Sequence, residues 1–75
     1  MPRLPVLSGR QTVAVLQRAG FVVKRQRGSH IIMTRAGSVE TLSVPDHHEL
    51  KPGTLRALIR KAGLTVEQFN QFLQQ

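Results

Sequence analysis

One histidine occupies a sequence context that suits proton transfer. His30 directly follows the dipeptide Gly28–Ser29, and three cations lie just before it: Lys24, Arg25 and Arg27. Histidine titrates near neutral pH, so it can donate or accept a proton under cellular conditions. RNA cleavage requires removal of the 2′-hydroxyl proton, protonation of the 5′-leaving oxygen and stabilisation of the negative charge on the phosphate. A histidine can transfer the protons and neighbouring cations can stabilise the charge, so no metal is needed. Taken alone the signal is weak, because a lone histidine in a small basic domain is usually structural or merely exposed.

A second polar cluster lies at residues 46–49, where the sequence is Asp-His-His-Glu. These are four consecutive candidate metal ligands. Adjacent residues of one loop rarely converge on a single ion, and a structural zinc site normally has four well-spaced ligands. We therefore expect a solvated loop without a bound metal, and we take His47 as a candidate second proton carrier.

Cations also follow this loop, at Lys51, Arg56, Arg60 and Lys61. On a helix, Arg56 and Arg60 lie one turn apart on the same side. The side chains either contact phosphate or form a solvated face opposite the core. The helix N-terminus at Gly53–Thr54 is a further candidate for phosphate contact, because its backbone N–H groups have no partner within the helix.

The charge balance favours a polyanionic partner. The 75 residues carry 11 Lys and Arg against 4 Asp and Glu, a formal net charge of +7, and nucleic acid is the first expectation for such an excess. The chain has no Cys, which excludes disulfides and thiolate metal sites. It has 3 Phe and neither Tyr nor Trp, so sequence-blind stacking on single strands is disfavoured. The few acids are too scattered to indicate a two-metal nuclease.

Three helices are predicted. Ser8 and Gln11 have the spacing of a capping box before the first helix, which ends at Gly20. A second helix spans residues 52–63, where apolar side chains recur at i, i+3, i+4 and i+7. These apolar residues are Leu55, Leu58, Ile59 and Ala62. Another capping box at residues 65–68 begins a short terminal helix.

Three strands are predicted between the first two helices, at residues 21–26, 29–35 and 39–44. Turns at Arg27–Gly28 and residues 36–38 separate them, and Pro45 ends the third. No connection is long enough for a crossover, so the strands should form an antiparallel meander. The fold class is therefore α+β: one domain over residues 1–75, in the α-β-β-β-α order of the double-stranded-RNA-binding fold, with helices on one face of the sheet.

The alternation in the second strand leaves the face of the histidine open. His30 shares a face with Ile32 and Thr34, whereas Ile31 and Met33 point to the other side. Both faces carry apolar residues, so either could be the face that the helices cover.

Several short segments together resemble the HicA family of toxins. In order they are Ala19-Gly20-Phe21, Gly28-Ser29-His30, Val44-Pro45-Asp46-His47, Leu50-Lys51-Pro52-Gly53-Thr54-Leu55 and Ala62-Gly63-Leu64-Thr65. The resemblance covers nearly the whole chain in order. It implies an mRNA interferase of a type II toxin–antitoxin pair, with a double-stranded-RNA-binding-like fold, neutralised by a HicB-type antitoxin. The catalytic histidine of the family maps onto His30.

The resulting expectation is a cytoplasmic, metal-independent endoribonuclease that acts on mRNA without a cofactor and is inhibited by an acidic antitoxin. The N-terminus is too short and too broken by proline for a signal peptide. Residues expected to contact RNA are Lys24, Arg25, Arg27, Gly28, Ser29, Lys51, Arg56 and Arg60. Two alternatives remain: a non-catalytic RNA-binding module, and a basic protein that binds only a protein partner.

Overall fold

The computed structural model describes residues 2–75 and contains the predicted elements in the predicted order. Their bounds are α1 Gly9–Arg18, β1 Val22–Arg27, β2 His30–Thr34, β3 Thr41–Pro45, α2 Pro52–Lys61 and α3 Val66–Leu73. The strands form one antiparallel sheet in the order β1-β2-β3. The predicted α+β fold of the double-stranded-RNA-binding type is thus confirmed. Within residues 2–75, no helix combines the length and apolar character needed to cross a membrane.

Both predicted capping boxes are present. The Ser8 hydroxyl accepts a hydrogen bond from the Gln11 N–H at 3.0 Å, and the Ser8 N–H donates to Gln11 Oε1 at 2.9 Å. Thr65 and Gln68 form the same reciprocal pair before α3, at 3.1 and 2.9 Å. Each pair satisfies donors that the helix leaves unpaired, so local sequence alone fixes where α1 and α3 begin.

The hydrophobic core lies between the helices and one face of the sheet. Ile31 and Met33 of β2 and Leu42 and Val44 of β3 are buried on that face. The helices bury the predicted apolar stripe against them, with Leu16, Leu55, Leu58, Ile59, Ala62 and Phe69 among the core residues. The face with Ile31 and Met33 is therefore the covered one, and His30 lies on the opposite, open face.

One arginine joins the C-terminal ends of two helices. Arg35 follows β2 and donates to the carbonyls of Ala19 at 3.4 Å and of Ala62 at 3.2 Å. Its guanidinium also lies 4.5 Å from the centre of the buried Phe21 ring. A cation held by two helix-end carbonyls complements both helix dipoles, so this residue fixes the two helices relative to the sheet.

The predicted start of β3, and with it the end of the preceding turn, is wrong. β3 begins at Thr41, not at Val39, and the Val39 side chain is fully exposed. The Ser38 N–H donates to the Arg35 carbonyl, and the Glu40 N–H donates to the Ser38 hydroxyl. The turn uses these backbone groups itself, so the ladder cannot start until Thr41.

The remaining strand ends each differ from the prediction by one residue, since β1 spans Val22–Arg27, β2 spans His30–Thr34 and β3 ends at Pro45. Phe21 was predicted to open β1, but its N–H donates to the Leu16 carbonyl at 3.0 Å and closes α1, so β1 begins at Val22. β3 continues to Pro45, one residue beyond the prediction. Proline is tolerated there because β3 is an edge strand and this is its last residue.

Candidate functional site

The hairpin that carries His30 turns at Gly28–Ser29, one residue later than predicted. Gly28 has φ +58°, and no residue other than glycine has a positive φ in residues 2–75. Positive φ at the first central residue alone is the pattern of a type II′ turn, which matches the right-handed twist of the strands. The consequence is direct pairing of Arg27 with His30 across the hairpin.

Two arginines share the open face with His30. Arg27 is opposite His30, and Arg25 is opposite Ile32, which lies two residues further along β2. Opposite residues on one face have Cβ atoms about 4.5–5.5 Å apart, so the Arg27 and His30 side chains are neighbours. Alternation from the turn brings Arg25 to the same face as Arg27, and the side chains of Arg25, Arg27 and His30 are all exposed.

A β-bulge at Lys24 separates this cationic part of β1 from its apolar part. Val23 pairs with Met33 and Arg25 pairs with Ile32, so Lys24 has no partner in β2. Without the extra residue, Lys24 would point toward the helices and Val23 toward solvent. The bulge allows Val23 to face the covered side while the arginines face the open side.

The end of β3 lies beside the histidine hairpin. Pro45 is the β3 residue paired with His30, and the Asp46 N–H donates to the Ser29 carbonyl at 2.6 Å. His47 follows two residues beyond Pro45 and is exposed. The structure therefore brings both histidines to the same end of the sheet, although they are far apart in sequence.

The first turn of α1 contacts this same segment. The Gly9 N–H donates to the His47 carbonyl at 2.9 Å. Arg10 binds the Asp46 carboxylate through two hydrogen bonds, from Nε at 3.2 Å and from Nη2 at 3.0 Å. Sequence reasoning missed Gly9 and Arg10, because Arg10 and Asp46 are separated by 36 residues and no local pattern links them.

His47 and His48 line a shallow cleft with Ser8, Arg10 and Asp46. The Asp46 carboxylate in this cleft is already held by Arg10. Throughout residues 2–75, no three His, Asp or Glu side chains are grouped as metal ligands would be.

The predicted cations in and just before α2 do not form one cluster. Lys61 Nζ donates to the Thr41 carbonyl at 3.3 Å, so the end of α2 lies at the start of β3. Lys51 is the exposed residue just before α2. Arg56 and Arg60 instead line a groove in the helix layer. The structure does not bring these two arginines onto the open face of the sheet.

Comparison with known proteins agrees with this architecture. The sequence profile of a family described as the HicA toxin of bacterial toxin–antitoxin systems matches residues 9–64. A chain of a toxin–antitoxin complex from Streptococcus pneumoniae has 30% sequence identity and a TM-score of 0.70, covering 77% of this chain and 98% of that one. No curated protein matches at a significant level. The matched range contains His30 and the whole of residues 44–47, and the chain therefore belongs to the HicA toxin family of bacterial toxin–antitoxin systems.

Proposed function

We propose that this toxin cleaves mRNA as a metal-independent endoribonuclease, with His30 as general acid–base. The observation that carries the proposal is the exposed imidazole at the end of the open face, paired directly with Arg27 and beside Arg25. Membership of a toxin family supports a destructive activity, and the net charge of +7 supports a polyanionic substrate.

The reaction proposed is an internal transesterification. Neutral His30 accepts the proton of the 2′-hydroxyl, the 2′-oxygen bonds to phosphorus, and the bond from phosphorus to the 5′-oxygen breaks. The leaving oxygen takes a proton, either from the imidazolium of His30 or from His47. The products are a 2′,3′-cyclic phosphate and a 5′-hydroxyl. Arg25 and Arg27 offset the charge that develops on the phosphate oxygens.

RNA binding is proposed to start from the hairpin. Arg25 and Arg27 supply charge on the open face, Lys24 supplies it at the bulge, and the backbone of Gly28–Ser29 leaves room for a phosphate. Lys51, exposed just before α2, is proposed as a further phosphate contact. These contacts position the chain and carry no sequence information. Because mRNA is the substrate in this proposal, the toxin would act in the cytoplasm.

Arg56 and Arg60 belong to a separate part of the RNA-binding surface in this proposal. They lie in the helix layer, so they would contact phosphates outside the cleavage site. Removing them should weaken RNA binding without changing the chemical step.

A HicB-type antitoxin is the proposed inhibitor. The structural neighbour from Streptococcus pneumoniae comes from a complex of toxin and antitoxin. A surface with net charge +7 favours an acidic partner, because complementary charge accelerates association. The antitoxin should place carboxylates or bulk over His30 and the hairpin arginines. A complex that leaves His30 accessible to RNA would contradict this mode of inhibition.

The decisive experiment compares single variants of the three histidines in an RNA cleavage assay that contains EDTA. His30→Ala should lower the cleavage rate about 10²–10⁴-fold, the usual contribution of a general acid–base, and should leave RNA affinity nearly unchanged. His47→Ala should have a smaller effect, and His48→Ala is the control. In cells, the wild-type protein should arrest growth without its antitoxin, and His30→Ala should not.

Three outcomes would contradict the proposal in different ways. A folded His30→Ala protein that cuts RNA at the wild-type rate would remove the catalytic assignment. Loss of wild-type activity in EDTA would implicate a metal and the residues 46–49. Tight RNA binding without any cleavage by the wild type would identify the chain as a non-catalytic RNA-binding module.

A further inference from the structure

We infer that Arg10 and Asp46 are positioning residues for His30, an inference that rests on the proposed function. The first turn of α1 binds residues 46–47, the segment just after β3. That segment in turn binds the backbone of the hairpin turn that precedes His30. We call this arrangement the clamp. The clamp consists of Gly9, Arg10 and Asp46, and it acts through three sets of contacts.

The first contact joins Asp46 to the hairpin turn. Pro45 is paired with His30 but has no N–H, so it cannot donate a hydrogen bond to β2. The next backbone donor is the N–H of Asp46, the residue just after β3, and it donates to the Ser29 carbonyl at 2.6 Å. Ser29 immediately precedes His30, so the backbone position of Asp46 sets the position of the turn. On the other side of the hairpin, the Gln26 side chain of the exposed strand β1 donates to the Gly28 carbonyl at 3.1 Å, so the contact from Asp46 supports the turn from the β3 side.

The second contact fixes the Asp46 side chain. Arg10 donates bidentate hydrogen bonds to both carboxylate oxygens of Asp46, from Nε at 3.2 Å and from Nη2 at 3.0 Å. The side chain of Asp46 is 23% exposed, and that of Arg10 is 72% exposed. A planar guanidinium that makes two parallel hydrogen bonds restricts orientation more than a single ammonium contact does. The two hydrogen bonds from Arg10 therefore restrict rotation of the Asp46 side chain and movement of Asp46 away from α1.

The third contact is between backbones. The Gly9 N–H binds the His47 carbonyl at 2.9 Å. A Cβ atom at Gly9 would overlap the Pro45 carbonyl oxygen and lie 3.1 Å from Asp46 Cα. Glycine is thus the residue that lets α1 approach this segment closely enough for Arg10 to reach Asp46. Because Gly9 binds the His47 carbonyl, the same contacts also fix the backbone position of His47.

A second ion pair provides a matched control. Lys61 and Glu40 are 4.0 Å apart at the other end of β3, with side chains 56% and 48% exposed. Both pairs join a helix residue to a residue flanking the same strand. Only the Arg10–Asp46 pair adjoins the histidine hairpin, so only its removal should disturb cleavage.

The test measures kcat and KM on a short single-stranded RNA for Arg10→Ala, Asp46→Ala and the double variant. Each single variant should lower kcat about tenfold, because small misplacements of a catalytic group are costly, and should change KM less than about twofold. The double variant should be no less active than either single one, since both substitutions break the same ion pair. Lys61→Ala and Glu40→Ala should retain wild-type kcat. Wild-type kcat in a folded Asp46→Ala protein would overturn the inference.

The same data separate positioning from direct RNA contact. If exposed Arg10 bound phosphate itself, Arg10→Ala would raise KM and Asp46→Ala would lower it by releasing the guanidinium. That pattern would also overturn the inference. Should an alanine variant fail to fold, Arg10→Lys and Asp46→Asn provide milder changes, for which a partial loss of kcat is expected and full activity would contradict the clamp.

A readout without RNA distinguishes failure of the clamp from failure of the proposed function. Hydrogen exchange of the Asp46 amide should be at least about tenfold faster in Arg10→Ala than in the wild type, because local opening of the segment is easier. The Leu64 amide, bound to the Ile59 carbonyl at the other end of the molecule, is the control and should not change. Unchanged exchange at Asp46 would refute the clamp. Inactive wild-type protein with faster exchange in the variant would refute the ribonuclease proposal alone.

Discussion

Replacing Gly9 with alanine tests the close approach of α1 to the end of β3. Neither Gly9 nor Gly53 has a positive φ, so alanine can adopt the backbone conformation at both positions. The two positions differ in the room available for an added methyl group. A Cβ at Gly9 would overlap the Pro45 carbonyl oxygen, whereas a Cβ at Gly53 would meet nothing within 4 Å. Gly53→Ala in the first turn of α2 is therefore a matched control with the opposite expected sign.

The expected magnitudes follow from these surroundings. Overpacking typically costs about 1–3 kcal/mol, and breaking the hydrogen bond from Gly9 to His47 costs about 0.5–1.5 kcal/mol. Together they amount to about 1.5–4.5 kcal/mol, a large part of the roughly 4–11 kcal/mol expected for 75 residues. Gly53→Ala should instead stabilise the protein by about 0.4–1 kcal/mol, because it restricts the unfolded chain.

Thermal unfolding followed by circular dichroism measures both effects. At about 4–8 °C per kcal/mol for a domain of this size, Gly9→Ala should lower Tm by on the order of 5–35 °C, and Gly53→Ala should raise it by a few degrees. A Gly9→Ala protein with wild-type or higher Tm would refute the close approach that underlies the clamp. A marked loss of stability in Gly53→Ala would contradict the reasoning, because a methyl group at Gly53 should fit without steric conflict.

Two further predictions concern arginines in different roles. Arg35→Ala should lower the free energy of unfolding by about 2–3 kcal/mol, because it removes charged hydrogen bonds and the packing of a cation on a buried ring, while Arg56→Ala should change it by less than about 0.5 kcal/mol. Equal denaturant midpoints for the two variants would contradict the role of Arg35 in joining helix ends. Replacing Arg25 and Arg27 together should reduce the log–log salt slope of RNA binding by about 0.7 for each phosphate that is no longer neutralised, and should also lower kcat. Replacing Arg56 and Arg60 should reduce the slope alone, and an equal fall in kcat would place the cleaved phosphate elsewhere.

Local sequence signals determined most of the secondary structure. Both capping boxes and the apolar stripe of α2 involve residues three or four positions apart, which become neighbours as soon as a helix forms. A glycine turn just before His30 was also predictable from Gly28, although the turn lies one residue later than the sequence indicated. The net charge, which requires no structure, already favoured a polyanionic partner.

Tertiary structure decided how these pieces make a site. Strict alternation could not choose between the two faces of β2, because both carry apolar residues; packing against the helices buried Ile31 and Met33 and left His30 open. The bulge at Lys24 likewise depends on which face is covered. The ion pair of Arg10 with Asp46 joins residues 36 positions apart. Such pairs form only when separate elements pack together, because close sequence spacing fixes neighbours within one helix or hairpin and carries no information about which elements will meet.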